Sequence, residues 1–266
     1  MSDVTAKTLI KGGVLMKNGI LKTTVALLLA FSLVTGFAAC GSNNENEDDS
    51  SEKVNSTLET NENDVSENDD GNIFFGSYEQ DNDTSNGKEP IEWIVLEEKD
   101  GKAFVLSKYA LDAEPYNTVQ EKTTWESCSL RKWLNEDFYN EAFSDEEKDN
   151  IEVTDVKAEA NPRHKSNQGN DTQDKIFLLS INEVKTYFDD DEARICSVTA
   201  YGKTQGPEGV PVGREYDGAC LWWLRTIGIA GIYAGSVYEH GGYNPYGDYV
   251  DAGNRCIRPA MWIELG

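Results

Sequence analysis

Five aromatic and arginine residues near the C-terminus have the chemistry of a ligand-binding platform. Trp222, Trp223 and Arg225 lie in one short apolar segment, and Arg258 and Trp262 lie in another. Aromatic faces stack on sugar rings, and the guanidinium fork of arginine binds carboxylates. Adjacent strand residues point to opposite faces, so we expect at least one of Trp222 and Trp223 to lie in the core. A structural role for all five, with the arginines paired to buried carboxylates, is the alternative.

The segment 239–249, which reads Glu-His-Gly-Gly-Tyr-Asn-Pro-Tyr-Gly-Asp-Tyr, is a second candidate for recognition. Tyrosine, glycine and asparagine form adaptable contact surfaces, as they do in antibody loops. Tyr243 and Tyr246 are therefore predicted ligand contacts. A plain glycine-rich connecting loop is the alternative.

Calcium is the one cofactor that this region suggests. Asp248, Asp251 and Asn254 offer oxygen ligands of the kind that calcium prefers, although their spacing matches neither an EF-hand nor a sugar-binding lectin signature. No other cofactor is predicted. The two histidines form no two-histidine metal motif, and the chain has no Gly-x-Ser-x-Gly elbow, phosphate loop or dinucleotide fingerprint. The formal net charge of -24 repels phosphates and argues against nucleic acid as a partner.

The N-terminal region has the three parts of a secretory signal. Basic residues in 16–22 precede an apolar run at 25–37, and Ala-Ala-Cys-Gly follows, with the cysteine at Cys40. The run is shorter than the roughly 20 residues that span a bilayer. These residues resemble the lipobox of bacterial lipoproteins. We therefore expect 1–39 to be a signal peptide and Cys40 to carry diacylglycerol, which anchors the protein to the outer face of the cell membrane; an unlipidated secreted protein is the alternative.

Residues 40–70 are expected to form a disordered acidic stalk, because a segment so poor in apolar residues cannot offset its ordering entropy. Residues 71–266 have the length of one globular domain. Four cysteines remain after Cys40, which outside the membrane allows three complete disulfide pairings, and buried free thiols are the alternative. These cysteines are Cys128, Cys196, Cys220 and Cys256.

Local patterns predict the elements that position these residues. Two apolar runs flank Asp100-Gly101, a pair that tolerates positive φ and indicates a β-hairpin. Apolar residues recur at helical spacing over 130–138. Ser144 and Ser180 each precede a glutamate by three residues, which is the capping-box pattern of a helix start. The apolar run 176–179 before Ser180 predicts a strand.

The last third of the chain alternates short apolar segments with glycine-rich loops, which predicts short strands. The predicted fold class is α+β, a single loop-rich domain with an antiparallel sheet and a few short helices.

Four motifs resemble a bacterial domain family of unknown function that recurs in surface lipoproteins and multidomain cell-envelope proteins. They lie at 124–135, 174–180, 222–225 (Trp-Trp-Leu-Arg) and 257–263 (Ile-Arg-Pro-Ala-Met-Trp-Ile), and the similarity spans about 73–263. Two of these segments also show a distant similarity to the C-type-lectin-like fold of lectins, phage receptor-binding proteins and formylglycine-generating enzymes. Fold similarity does not by itself transfer function.

The distant similarity places the segments after Cys220 and Cys256 side by side, and so implies a disulfide between these two cysteines. Three classes of function are expected. The first, favoured by the anchor, the spacer and the lack of catalytic motifs, is a recognition module for a glycan, a peptide or another envelope component. The alternatives are a cell-envelope enzyme that uses cysteine or carboxylate chemistry, and a purely structural surface domain.

Overall fold

The predicted Asp-Gly turn forms a β-hairpin within the first large sheet of the computed structural model. Asp100 and Gly101 adopt φ values of 52° and 77°, which the Asp-Gly pair tolerates. The structure describes residues 66–68, 71–206, 209–213, 216 and 218–265, which all belong to one structural unit, Leu58–Gly266. The predicted signal peptide, Cys40 and most of the predicted stalk lie outside the described residues.

Twelve strands are described, and they are numbered in chain order. They are β1 (Ser66–Glu67), β2 (Ile73–Tyr78), β3 (Glu89–Lys99), β4 (Lys102–Ser107), β5 (Asp112–Ala113), β6 (Thr154–Val156), β7 (Thr172–Asp174), β8 (Trp222–Ile227), β9 (Tyr233–Val237), β10 (Tyr243–Tyr249), β11 (Cys256–Ile257) and β12 (Ala260–Glu264).

The strands form two five-stranded sheets and one two-stranded sheet. The first sheet has the order β1-β2-β3-β4-β12, and all its pairs are antiparallel. The second has the order β10-β9-β8-β11-β5, in which only β11 and β8 run parallel. Strands β6 and β7 pair separately. The predicted α+β class with antiparallel sheets is therefore confirmed.

The helices are short, and serine capping boxes begin two of them. They are α1 (Ser129–Trp133), α2 (Tyr139–Ala142), α3 (Asp145–Asp149), α4 (Ile181–Tyr187) and α5 (Ala200–Thr204). A π-helical segment, Leu134–Phe138, joins α1 to α2, so the predicted helix at 130–138 is confirmed. Ser144 and Ser180 cap α3 and α4 as predicted. No described helix has the length and apolar character needed to cross a bilayer.

The prediction of a strand at 176–179 is wrong. This segment is buried, but it makes only one isolated bridge, Phe177 to Ala260, beside β12. The Leu178 and Leu179 carbonyls instead accept hydrogen bonds from Arg225, the former from its side chain and the latter from its backbone. Periodicity alone cannot separate a buried strand from a buried irregular segment, because both are apolar throughout.

A buried carboxyl–phenol pair joins the two large sheets. The Tyr78 hydroxyl on β2 donates a hydrogen bond of 2.5 Å to Asp112 on β5, and the backbone N–H of Ala113 donates to the other carboxyl oxygen. Burial raises the pKa of Asp112 to about 6, although both hydrogen bonds oppose that rise. Burial also raises the pKa of Tyr78, and the neighbouring Asp112 charge adds to that effect.

This pair predicts a pH dependence of stability. In the folded state the pKa of Asp112, about 6, lies above its value of about 3.9 in an unfolded chain, so folding is favoured when the carboxyl is protonated. The stabilisation is fully present below about pH 4 and is lost as the pH rises through 6. Relative to Asp112→Asn, wild type should gain up to about 3 kcal/mol between pH 7 and pH 4. Urea denaturation of both proteins across this range measures it; parallel pH profiles would contradict the prediction.

Candidate functional site

The two tryptophans of the predicted platform lie in the core. Trp222 and Trp223 are completely buried. As adjacent residues of β8 they point to opposite faces of the sheet. The indole N–H of Trp222 donates to the Arg194 carbonyl, and that of Trp223 donates to the Glu114 carbonyl. Neither ring is available to a ligand, which favours the structural alternative for this segment.

Arg225, also predicted as a ligand contact, is buried and paired. Its guanidinium makes a two-pronged ion pair with Glu183, one hydrogen bond of which measures 2.8 Å, and it donates to the Leu178 carbonyl at 2.7 Å. Glu183 is the third residue of α4 and also accepts from the backbone N–H of Ser180. One carboxylate thus completes the capping box and neutralises the arginine.

Arg258 and Trp262 complete the predicted platform, and they also face inward. Arg258 is 1% exposed, and its Nε donates to the Ser107 carbonyl at 2.8 Å. The guanidinium lies 5.1 Å from the centre of the Trp222 ring. Trp262 is half-buried and stacks on Phe104 at 5.2 Å. The platform residues are thus spread through the fold and form no common surface.

A second buried polar cluster contains the other motif residues. The Asp174 carboxylate accepts hydrogen bonds from the indole N–H of Trp125 at 2.9 Å, from the Thr172 hydroxyl at 2.7 Å and from the Arg131 Nε at 2.6 Å. Asp174 is almost completely buried. Because a buried carboxylate must be compensated, these residues hold β7 against the first helices. Their role is structural.

Part of the segment predicted as a recognition loop is an edge strand. Residues 243–249 form β10, which borders the second sheet. Tyr246 and Tyr249 are 57% and 50% exposed. Tyr243 is half-buried beneath the Arg194 guanidinium, 5.9 Å from it. Of the two predicted tyrosine contacts, Tyr246 is the better exposed.

Two of the three residues proposed as calcium ligands, Asp248 and Asn254, form hydrogen bonds with Arg255. Asp248 accepts from the Ser236 hydroxyl at 2.6 Å and pairs with Arg255 at 3.2 Å. The same guanidinium donates to the Asn254 side chain at 2.5 Å. Asp251 makes no described side-chain bond to either residue. A cation at this position would compete with the Arg255 charge, so the structure gives calcium binding here no support.

Sequence reasoning missed a different acidic cluster. Among the described residues, one group of three carboxylates, Glu79, Asp81 and Glu89, has oxygen atoms within 4.8 Å of one another. It lies in the connection between β2 and β3, where the spacing of acidic residues was the available signal. Backbone N–H groups of this connection already bond to these carboxylates, including Asp83 to Glu79 at 3.0 Å and Gln80 to Glu89 at 2.7 Å. The cluster therefore serves to order its own loop.

The first residues of segment 239–249 line a large cleft. Its volume is about 770 Å³. The lining residues are Asp191, Glu192, Ile195, Gly213, Tyr216, Glu239 and His240. Three carboxylates face this space, and no lysine or arginine is among the described lining residues. The His240 ring stacks on Tyr238 at 5.2 Å, which adds an aromatic surface at the rim.

A close backbone contact fixes one wall of this cleft. Arg194 is buried, donates from Nε to the Gly241 carbonyl at 2.9 Å, and pairs with Asp191. Gly241 has a φ of +83°, and a Cβ atom there would lie 1.6 Å from the Asp191 carbonyl oxygen. Only glycine allows the loop to approach this closely. The wall that carries Glu239 and His240 is therefore held in place before any ligand arrives.

The four described cysteines are all buried free thiols, so the implied disulfide between Cys220 and Cys256 is not formed in this structure. Burial raises the pKa of Cys128 to about 12 and raises the pKa values of Cys196 and Cys220 well above their usual range. These three thiols are protonated at neutral pH, and all four cysteines are closed to solvent. In the folded protein they therefore lack the features of a catalytic nucleophile for an external substrate.

Residues 100–265 match the family described as Domain of unknown function (DUF6273), and the chain belongs to that family. The predicted resemblance to a domain family of unknown function is to this extent confirmed. No curated protein and no solved structure matched the chain.

Gly241→Ala should test the wall of the cleft. The substitution should destabilise the protein by roughly 3 kcal/mol or more, because it combines a left-handed backbone with a clash against the Asp191 carbonyl. Gly87→Ala is the matched control: Gly87 also has a positive φ, +100°, but open space surrounds it, so we expect a loss of about 1 kcal/mol. Thermal or urea denaturation measures both. Equal losses would mean that the close contact does not constrain the loop.

Proposed function

We propose that this protein is a lipoprotein of the outer face of a bacterial cell membrane, and that its domain is a recognition module for a positively charged peptide. The acidic cleft beside the start of β10 is the observation that carries the proposal. The anchor rests on the signal sequence and Cys40, which lie outside the described residues. The acidic segment 40–70 would act as the spacer.

The charge and shape of the cleft support a cationic ligand. Glu192 and Glu239 present negative charge within a partly enclosed space, where Coulomb interactions are stronger than at an open surface. The charge of the third carboxylate, Asp191, is paired with Arg194. The net charge of -24 extends the same field and would attract basic partners from a distance. Tyr216 and His240 add aromatic faces on which a lysine or arginine side chain can stack. The cleft is large enough for a few residues of such a peptide.

A neutral glycan fits the site less well. Trp222 and Trp223, two of the rings expected to stack on a sugar, are both buried. The exposed tyrosines of β10 already pack on other rings, Tyr246 on His164 at 4.6 Å and Tyr249 on Tyr233 at 4.7 Å. Among the ligand classes expected from the sequence, a basic peptide is therefore the best match.

The enzyme alternative has less support. All four described thiols are buried and free, and no serine, threonine, cysteine or lysine is among the described residues that line the cleft. The C-type-lectin-like relation stays a prediction. If the cleft binds no cationic ligand, the purely structural surface domain becomes the better account.

Lipidation should depend on Cys40. Cells that express wild type and are fed a labelled fatty acid should incorporate the label into this protein, and Cys40→Ala should incorporate none, because the thiol is the acceptor. Cys128→Ala is the control and should be labelled like wild type. Label in the Cys40→Ala protein would contradict the proposed anchor.

Removing charge from the cleft should weaken peptide binding. A fluorescent tetralysine peptide, followed by anisotropy at low salt, should bind Glu192→Gln/Glu239→Gln roughly 10-fold more weakly than wild type, which corresponds to about 1.4 kcal/mol. Glu98→Gln/Glu121→Gln removes the same total charge at exposed positions outside the cleft and should change the Kd less than about 2-fold. Equal weakening in both pairs would show that the peptide senses only the overall charge.

A further inference from the structure

Three of the four described cysteines, Cys196, Cys220 and Cys256, lie close together at the second sheet. Cys220 lies between the other two cysteines: its backbone N–H donates to the Cys196 carbonyl, and the Cys256 N–H donates to the carbonyl of Leu221, the residue after Cys220. Both neighbouring thiols act on the pKa of the Cys220 thiol. All three residues are at most 2% exposed. Cys128 lies apart from them, with its thiol directed at the Trp125 carbonyl. Cys220 is thus the shared neighbour in a row of three thiols.

The backbone places Cys196 opposite Cys220. The N–H of Cys220 donates to the Cys196 carbonyl at 2.9 Å, and the adjacent residues Ser197 and Ala219 form an antiparallel bridge. Opposed residues of this kind have Cα atoms about 5.5 Å apart, which is within the range of about 4.4–6.8 Å that a disulfide spans. On the other side, Cys256 begins β11, which runs parallel to β8, in register with Trp222.

A buried cation without a counter-ion lies beside these thiols. Arg258 is 1% exposed, has no ion-pair partner among the described residues, and leaves its Nη1 without a hydrogen-bond partner. Its positive charge lowers the pKa values of Cys196 and Cys220, against the larger effect of burial. A cation in this position stabilises a thiolate, which is both the attacking and the leaving species in disulfide exchange.

We propose that Cys196, Cys220 and Cys256 form a disulfide-exchange site in which Cys220 is the common partner. As the chain folds, the Cys196 and Cys220 thiols lose two protons and two electrons and become a disulfide, while a small external disulfide such as oxidised glutathione is reduced to two thiols. The Cys256 thiolate can then attack the Cys220 sulfur. The Cys220–Cys256 bond forms, the Cys196–Cys220 bond breaks, and Cys196 leaves as a thiolate that takes up the proton.

This inference depends on the proposed export only for the presence of an oxidant in the cell. The geometry can be tested on the purified protein, so the failure of one proposal does not imply the failure of the other. Trypsin places each cysteine on a separate peptide, because arginine or lysine residues divide the sequence between them and Arg258 precedes a proline. The three informative peptides are 195–203, 215–225 and 256–266.

The experiment refolds the reduced full chain in a glutathione redox buffer, blocks free thiols, and maps linked peptides by mass spectrometry. Wild type should show peptide 215–225 linked to 195–203 or to 256–266. Cys196→Ala should keep the Cys220–Cys256 link, and Cys256→Ala should keep the Cys196–Cys220 link. Cys220→Ala should show no link between the remaining two. Cys128→Ala is the matched control and should give the wild-type pattern.

Two results would overturn the proposal: a wild-type Cys220 that stays free under conditions that oxidise an unfolded cysteine peptide, or a link between Cys196 and Cys256 in Cys220→Ala. The wild-type map involves no substitution, so it tests the proposal even if a cysteine variant fails to fold. Circular dichroism of each variant identifies those that fold. The oxidised wild type should melt at a higher temperature than the reduced protein.

Discussion

The ion pair between Arg225 and Glu183 is the interaction on which the rest of the second sheet depends. It joins the central strand β8 to the first turn of α4, and the same glutamate closes the capping box of that helix. The Tyr116 hydroxyl donates a hydrogen bond to the Arg225 carbonyl, which connects the segment after β5 to β8. Loss of the Glu183 charge would leave the buried Arg225 guanidinium without a counter-ion, a cost of about 3–5 kcal/mol.

This constraint moves recognition to the periphery. The residue types of a binding site are present, but their polar groups donate hydrogen bonds to carbonyls of the same chain. These residues are Trp222, Trp223, Arg225 and Arg258. What remains for a ligand is the set of loops that the rigid sheet positions. The acidic cleft forms where the segment that contains Asp191 meets the segment that contains Glu239, and Gly241 allows these two to touch.

Local chemistry explains which elements could be predicted. The Asp-Gly hairpin and the capping boxes at Ser144 and Ser180 depend on neighbours within a few residues, and these predictions were confirmed. The strand predicted at 176–179 failed because an apolar run reports burial and not hydrogen-bond partners. The site was predicted only in part: the sequence pointed to the segment that begins at Glu239, but Asp191 and Glu192 are almost 50 residues away and carry no local signal of proximity.

The sequence by itself determined the α+β class, the hairpin and the helix starts, because each follows from short-range patterns of charge, polarity and φ preference. The family followed from the resemblance of its motifs. Only the tertiary structure decided which arginines and tryptophans are core, where the carboxylates converge, and that Cys220 lies between Cys196 and Cys256. Those outcomes depend on long-range contacts. A side chain's chemistry is the same in a core and in a binding site, and only its neighbours distinguish the two.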